Sequence, residues 1–214
     1  LTNKCLDINS WVEKNILLSL QRLQTTSLYA ILIHHSEDLA NNYGKKLVNA
    51  LLEMKDIGLV KKIGVSIYNP HECELFLKFP ELDLIQSPLS IIDRRLIESG
   101  WLSRLHSDGK EIHVRSIFLQ GLLLLPQDKI PARFKKWSGI WNKWFKVLKG
   151  NNITAIEACL MYLMTLPKIS KVVIGIDNIN QLSEIITKSN SKPNNIDWSF
   201  MVSNDQMLIN PTNW

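Results

Sequence analysis

Two apolar rhythms take turns along this chain. Leu28-Tyr29-Ala30-Ile31-Leu32-Ile33 is an unbroken apolar run ended abruptly by His34 and His35, the pattern of a strand buried on both faces of a parallel sheet. Ahead of it, Trp11, Val12, Ile16, Leu20 and Leu23 recur at helical spacing behind Ser10, which predicts a capped helix over 11–23. Leu47, Leu51 and Met54 form the stripe of a second helix over 43–57, stopped at Gly58. The same alternation predicts strands over 59–66, 82–86, 111–116 and 171–175. Between them it predicts helices started by Pro70 and capped by Asp93, then helices over 155–166 and 181–187.

Strand and helix alternating at about thirty residues per unit mean a parallel sheet with helices outside it. No internal repeat or composition shift marks a boundary, so residues 1–214 read as a single domain. A doubly wound nucleotide fold would carry a glycine-rich phosphate turn, and neither GxGxxG nor GK[ST] occurs. A (β/α)8 barrel needs no such turn and collects polar groups at the carboxyl ends of its strands. Here the strand ends carry His34-His35, Ser66, Gln86, Arg115-Ser116 and Gly175, which favours the barrel. A full barrel takes about 250 residues, and five or six strands are legible. The expectation is therefore an α/β (β/α)8 barrel that is incomplete, lacking its first strands and helices.

Composition narrows the functional classes. Three scattered cysteines without CxxC spacing point to a reducing, cytoplasmic setting. No apolar run reaches membrane-spanning length, and the net charge of +5 argues only weakly for anionic partners. Arg133 to Lys149 interleaves basic and aromatic residues without an acid, a pattern that nucleic-acid or membrane-surface segments share. Trp137, Trp141, Trp144 and Leu148 nevertheless fall on one helical stripe, which favours a helix packed on the core with its lysines in water. The expectation is no nucleic-acid and no membrane partner. Adjacent histidines on a strand point to opposite faces, and His71, His106 and His113 add no ligand spacing, so no metal site is expected.

Taken in order, Leu32-Ile33-His34, Ile63-Gly64-Val65-Ser66, Gln86, Arg115 through Gly121, and Ile174-Gly175 with Gln181 resemble the aldo-keto reductases. The wordings IGVSIY and VRSIFLQGLLL resemble most closely the bacterial branch associated with surface-polysaccharide biosynthesis. The resemblance implies a barrel that binds an extended NADP or NAD without a Rossmann domain. It also implies reduction of an aldehyde or ketone, some of them sugar-derived, or the reverse oxidation of an alcohol. Members use an Asp, Tyr, Lys and His tetrad: Tyr protonates the carbonyl oxygen as hydride arrives, Lys paired with Asp lowers the Tyr pKa, and His orients the carbonyl.

By position in those motifs, His34 matches the tetrad histidine and Lys4 the lysine. No residue matches the Asp or the Tyr, so the chain read alone is an inactive, N-terminally truncated fragment. The resemblance further implies that Ser66 and Gln86 bind the nicotinamide carboxamide and that Arg115 stacks on its ring. Ser116, Phe118 and Gln120 then wrap the pyrophosphate, while Gly175 and Gln181 hold the adenosine end. Many members place Asn after that serine; here it is Ile67. The basic clamp of NADPH-specific members has Gly175 and Gln181 in its places, which leaves NAD and NADP both open. The alternative function is a non-catalytic or degenerate dinucleotide-binding or interaction module, and the oligomeric state stays open.

Overall fold

Asp7 opens the first helix, α1 (Ile8–Leu23). Its carboxylate accepts the Ser10 N–H at 3.2 Å, so the cap sits three residues ahead of the Ser10 expected for it. The computed structural model describes residues 7–189 and 196–214, so Lys4 lies outside the described residues. The elements that follow are β1 (Leu28–Ile33), α2 (Glu37–Ala40), α3 (Gly44–Asp56), β2 (Val60–Ser66) and a 3-10 turn (Pro70–Glu74) leading into α4 (Leu75–Lys78). After β3 (Leu84–Pro88) come α5 (Arg95–Glu98), α6 (Trp101–Ser107), β4 (Glu111–Arg115), α7 (Ser138–Asn151) and α8 (Ala155–Met164). β5 (Lys171–Val172), α9 (Ile179–Ser189) and α10 (Gln206–Ile209) complete the order. Among the described residues no helix is long and apolar enough to cross a membrane.

The chain packs as two units: residues up to Ser87 with Trp101–Ile112, and Pro88–Gly100 with His113–Trp214. In the first, β1 pairs parallel with β2 from Leu28↔Val60 to Ile33↔Val65, and β2 pairs parallel with β3 through Gly64↔Leu84 and Ser66↔Gln86. The crossover helix α3 buries Leu47, Val48, Leu51 and Met54, and Gly58 at φ +81° ends it in the left-handed turn that favours glycine. α1 buries Val12, Ile16 and Leu20, whereas Trp11 and Leu23, at the margins of the expected stripe, are exposed. β1 corrects the expectation of a strand buried on both faces. Ile33 alone is fully buried and Tyr29 is exposed, because among the described residues only β2 flanks this strand. Tyr29 donates to Glu111 at 2.7 Å, and Lys62 pairs with the same carboxylate, which raises the lysine pKa.

The helix expected from Asp93 to Leu105 is two helices, α5 and α6, parted at Gly100 with φ +78°. Arg94 stands at the N-cap position of α5, and Asp93, one residue earlier, accepts the Arg95 N–H at 3.4 Å while the Arg95 guanidinium grips its carboxylate through two bonds of 2.8 Å.

In the second unit β4 pairs parallel with β5 through His113↔Lys171 and Val114↔Val172. β5 is shorter than the run to Gly175 suggests: Val173 still donates to the Val114 carbonyl at 2.8 Å, and the chain then turns away. α7 buries Trp141 and Trp144, whose indole N–H groups donate to the Phe134 and Leu123 carbonyls, while Lys143, Lys146 and Lys149 face water. Trp141 and Trp144 of the expected stripe are core, whereas Trp137, ahead of α7, and Leu148 are half-buried. Burial pushes the Cys73 thiol up to about 12 and the Cys159 thiol up as well, so neither is a ready thiolate.

α8 begins with a capping box in which Thr154 accepts the Glu157 N–H and Glu157 accepts the Thr154 N–H. Lys188 of α9 donates to Glu157 at 2.8 Å, and this bond, with the Thr154 bonds, lowers the Glu157 pKa from 4.5 to about 2. A depressed carboxylate contributes stability that is present above its unfolded pKa and lost as pH falls through the folded one. The stability gap between the wild type and Glu157→Gln is therefore expected to be full at pH 7 and to close between 4.5 and about 2. Thermal melts across that range check it; a gap independent of pH would remove the ion pair as its cause.

Candidate functional site

Register brings the first group of predicted residues to one edge. His34 follows Ile33, and the Ile33↔Val65 pair makes it level with Ser66, which is itself paired with Gln86. Ser66 is buried and Gln86 half-buried, and the Ile67 N–H donates to the Gln86 carbonyl at 2.9 Å, so this pair is held from both strands. His34, one residue past β1, Ser66, the last residue of β2, and Gln86, within β3, thus stand level toward the carboxyl side of these parallel strands, where parallel folds place chemistry. His34 and His35 are both exposed, their rings 4.4 Å apart and inclined at 64°. They border an apolar cavity of about 300 Å³ with Trp11, Ile31, Ile33 and Leu47.

One residue that anchors this edge is not evident from apolar spacing alone. Ser36, directly after the histidines, donates its hydroxyl to Glu72. The same carboxylate accepts the Tyr68 and Asn69 N–H groups at 3.1 and 2.6 Å. Glu72 therefore ties the turn after β1 to the turn after β2. The signal that finds it is the Asn69-to-Glu72 capping box ahead of a short helical segment.

The second group lies in the other unit. Arg115, Ser116, Phe118, Gln120, Gly175 and Gln181 all line a single cleft of about 440 Å³. Arg115 is half-buried, with its guanidinium 3.4 Å from the Ser116 hydroxyl. Beyond it the backbone turns left-handed at Ser116 (φ 61°), Leu119 (φ 49°) and Gln120 (φ 53°) before Gly121 (φ 81°). Non-glycine residues resist that conformation by about 1–2 kcal/mol each. The loop holds it through Leu119 N–H to Ser116 O at 2.8 Å and Leu122 N–H to Leu119 O at 3.0 Å. Such strain gathers at sites that must hold a shape for a ligand.

The opposite wall is the turn from β5 into α9. Asn178 accepts the Gln181 N–H at 3.0 Å in the manner of a helix cap, and Gln181 accepts the Asp177 N–H at 2.8 Å. Apolar Ile156, Val173, Ile174 and Ile185 complete the lining. A guanidinium, a hydroxyl and two amides thus stand beside an apolar wall in this cleft. Asp177, also in the lining, is the residue the motif reading passed over. Among the described residues no three His, Cys, Asp or Glu side chains form a group that could hold a metal ion.

Comparison with known proteins agrees with the geometry. The sequence model of the aldo/keto reductase family matches residues 3–199. The chain is 25% identical over 195 residues to the uncharacterized oxidoreductase YqkF of Bacillus subtilis, covering 86% of this chain and 61% of that protein. It is 30% identical over 131 residues to the NADH-specific methylglyoxal reductase of Escherichia coli, covering 58% and 38% respectively. The chain thus spans less than two thirds of the length of either relative. Among solved structures, the aldo-keto reductase AKR11C1 from Bacillus halodurans is similar with a TM-score of 0.69 at 22% identity, over 87% of this chain and 64% of that one. The glycerol dehydrogenase AKR11B4 of Gluconobacter oxydans matches with a TM-score of 0.59 at 17% identity, over 89% and 68%. At these identities the structural likeness establishes the fold: the (β/α)8 class of this family, with fewer strands than a complete barrel.

Proposed function

We propose that this chain, which belongs to the aldo/keto reductase family, carries the cofactor-holding part and the histidine of a nicotinamide-dependent carbonyl reductase. The family comprises oxidoreductases that act on small-molecule carbonyls with NAD(P)H. The observation that carries the reading is the cleft of the second unit. Six residues matched to cofactor contacts by motif, Arg115, Ser116, Phe118, Gln120, Gly175 and Gln181, line it together.

The residues divide the work. The bound dinucleotide supplies a hydride. Arg115 stacks its guanidinium plane on the ring, Ser116 and Gln120 donate to the diphosphate from the left-handed loop, and Phe118 supports that loop from the buried side. Gln181 and the backbone at Gly175 hold the adenosine end. In the first unit, by motif, Ser66 and Gln86 match carboxamide contacts and His34 the histidine that orients a carbonyl. The lysine role falls to Lys4, with its ammonium lowering the pKa of the proton-donating Tyr. No residue of this chain matches that Tyr or its partner Asp, and the chain spans 61% of one relative's length. Neither role is therefore assigned to a residue of this chain, whose residues 1–214 act as one domain. The wordings around Ser66 and Arg115 support a sugar-derived aldehyde or ketone as substrate, and the cysteine pattern a cytoplasmic setting.

Titration of the protein with reduced dinucleotide tests the reading. Fluorescence is expected to saturate with one ligand per chain, and Arg115→Ala is expected to weaken binding about tenfold, or 1.4 kcal/mol. Absence of saturable binding would overturn the cofactor assignment. Saturable binding without turnover in the whole protein would instead favour the non-catalytic module.

A further inference from the structure

Ser36 stands at the N-cap position of α2, where a serine hydroxyl ordinarily accepts a backbone N–H of its own helix. Here it makes no cap bond. The hydroxyl donates instead to Glu72, 36 residues further along the chain. Ser36 is buried, and a buried hydroxyl is costly unless it is bonded, so this pairing is built into the packing of the strand edge.

Glu72 divides its carboxylate between two turns. Oε2 accepts the Ser36 hydroxyl, while Oε1 accepts the Tyr68 and Asn69 N–H groups at 3.1 and 2.6 Å. Ser36 comes shortly after His34 in the chain, just as Tyr68 comes shortly after Ser66. The pairing of β1 with β2 runs to Ile33↔Val65, immediately before His34 and Ser66. Glu72 thus carries the connection between these strands past their last pair, on the side where His34 and Ser66 stand. The turn after β2 is also tied to β3, through the Ile67 N–H and the Gln86 carbonyl. Among the described residues β1 has only β2 beside it, so the turn that carries His34 leans more heavily on Glu72. His34, Ser36, Ser66 and Glu72 all belong to the first unit.

We propose that Glu72 is a positioning residue: through Ser36 it fixes His34 relative to Ser66, and so aligns a carbonyl at His34 with the nicotinamide. This rests on the reading of His34 as the histidine that orients the carbonyl, and adds the group that orients the histidine. A misplacement of about 1 Å at a reacting group can cost about 10²-fold in rate, so a bond remote from the chemistry is enough to matter.

The experiment compares Ser36→Ala, Glu72→Gln and Glu72→Ala in the whole protein, with Ser36→Ala also combined with His34→Ala. Turnover of a panel of small aldehydes and sugar ketones, dinucleotide affinity by fluorescence, and melting temperature are measured for each. Ser36→Ala cuts only the arm to β1, so kcat is expected to fall about tenfold while dinucleotide affinity stays within about twofold. Glu72→Ala frees both turns and is expected to lower kcat at least as far and to weaken the dinucleotide as well. Glu72→Gln keeps a carbonyl oxygen for the two N–H groups and an amide that can donate to the Ser36 hydroxyl, so it is expected to recover most of the loss. With His34 already replaced, Ser36→Ala is expected to leave the residual kcat within about twofold, because the group it positions is gone. The same tenfold loss in both backgrounds, or wild-type kcat in Ser36→Ala, would overturn the positioning role and leave the role of His34 intact. Unchanged turnover in His34→Ala, or no turnover by the wild type, would overturn the reading of His34 and this inference with it.

Discussion

Replacing His34 with alanine is expected to lower kcat of the whole protein by about 10²- to 10³-fold, with little change in cofactor affinity or melting temperature. The magnitude is that of losing a positioned proton donor at a reacting oxygen, or about 3–4 kcal/mol of transition-state stabilisation. The split between turnover and stability follows from where the side chain sits. His34 is exposed at the strand edge, while the neighbouring Ile33 and Ser66 are buried and hold the edge in place. His35 provides the control. Its ring is 4.4 Å from that of His34 and borders the same cavity, but it matches no member of the tetrad, and His35→Ala is expected to keep kcat within about threefold. His34→Gln, which retains an N–H donor, is expected to recover part of the loss. Wild-type turnover in His34→Ala would remove this residue from the mechanism. Equal losses at His34 and His35 would point to the turn held by Ser36 and Glu72 as the cause.

The elements most legible from the sequence were those whose local chemistry and packing agree. α3 shows a single apolar stripe ended by Gly58, and α8 shows Thr154 and Glu157 at capping-box spacing ahead of an apolar run. The tryptophan stripe of α7 could be read as core because Trp141 and Trp144 share one face and the lysines do not. What escaped depends on competition between neighbours. Asp7 and Ser10 both suit a helix cap, and the carboxylate wins by accepting the serine N–H. Asp93 looks like a cap, but it stands one residue ahead of the N-cap position and the Arg95 guanidinium, two residues later, is what its carboxylate mainly holds. The site divides in the same way. Polar residues ending apolar strands stand out against their surroundings, which made His34, Ser66, Gln86 and Arg115 conspicuous. Asp177 lies in a polar turn where one more acid breaks no pattern, and only the folded cleft shows it among the lining residues.

Gly64→Ala is expected to destabilise the fold by about 3 kcal/mol, the upper range for overpacking a core. Gly64 stands in a row of the sheet between Leu32 and Leu84. A Cβ at this position would lie 2.3 Å from the Leu84 carbonyl oxygen, 2.7 Å from Leu84 Cγ and 2.9 Å from Leu32 Cδ2. The leucine side chains can rotate away, but the carbonyl oxygen belongs to the backbone of β3 and moves only if the β2–β3 ladder opens. Opening it displaces Val65↔Ile85 and then Ser66↔Gln86, so the proposed carboxamide role of that pair makes weaker dinucleotide binding the expected companion of the lost stability. Gly58→Ala separates this steric cause from backbone strain. Gly58 has φ +81° with nothing within 4 Å of a Cβ, so its replacement is expected to cost about 1 kcal/mol and to leave binding unchanged. Urea unfolding of the two variants, followed by the same dinucleotide titration, measures both consequences. A Gly64→Ala midpoint equal to wild type, with binding intact, would mean that β2 and β3 can separate at little cost and that their spacing does not set the geometry of the site.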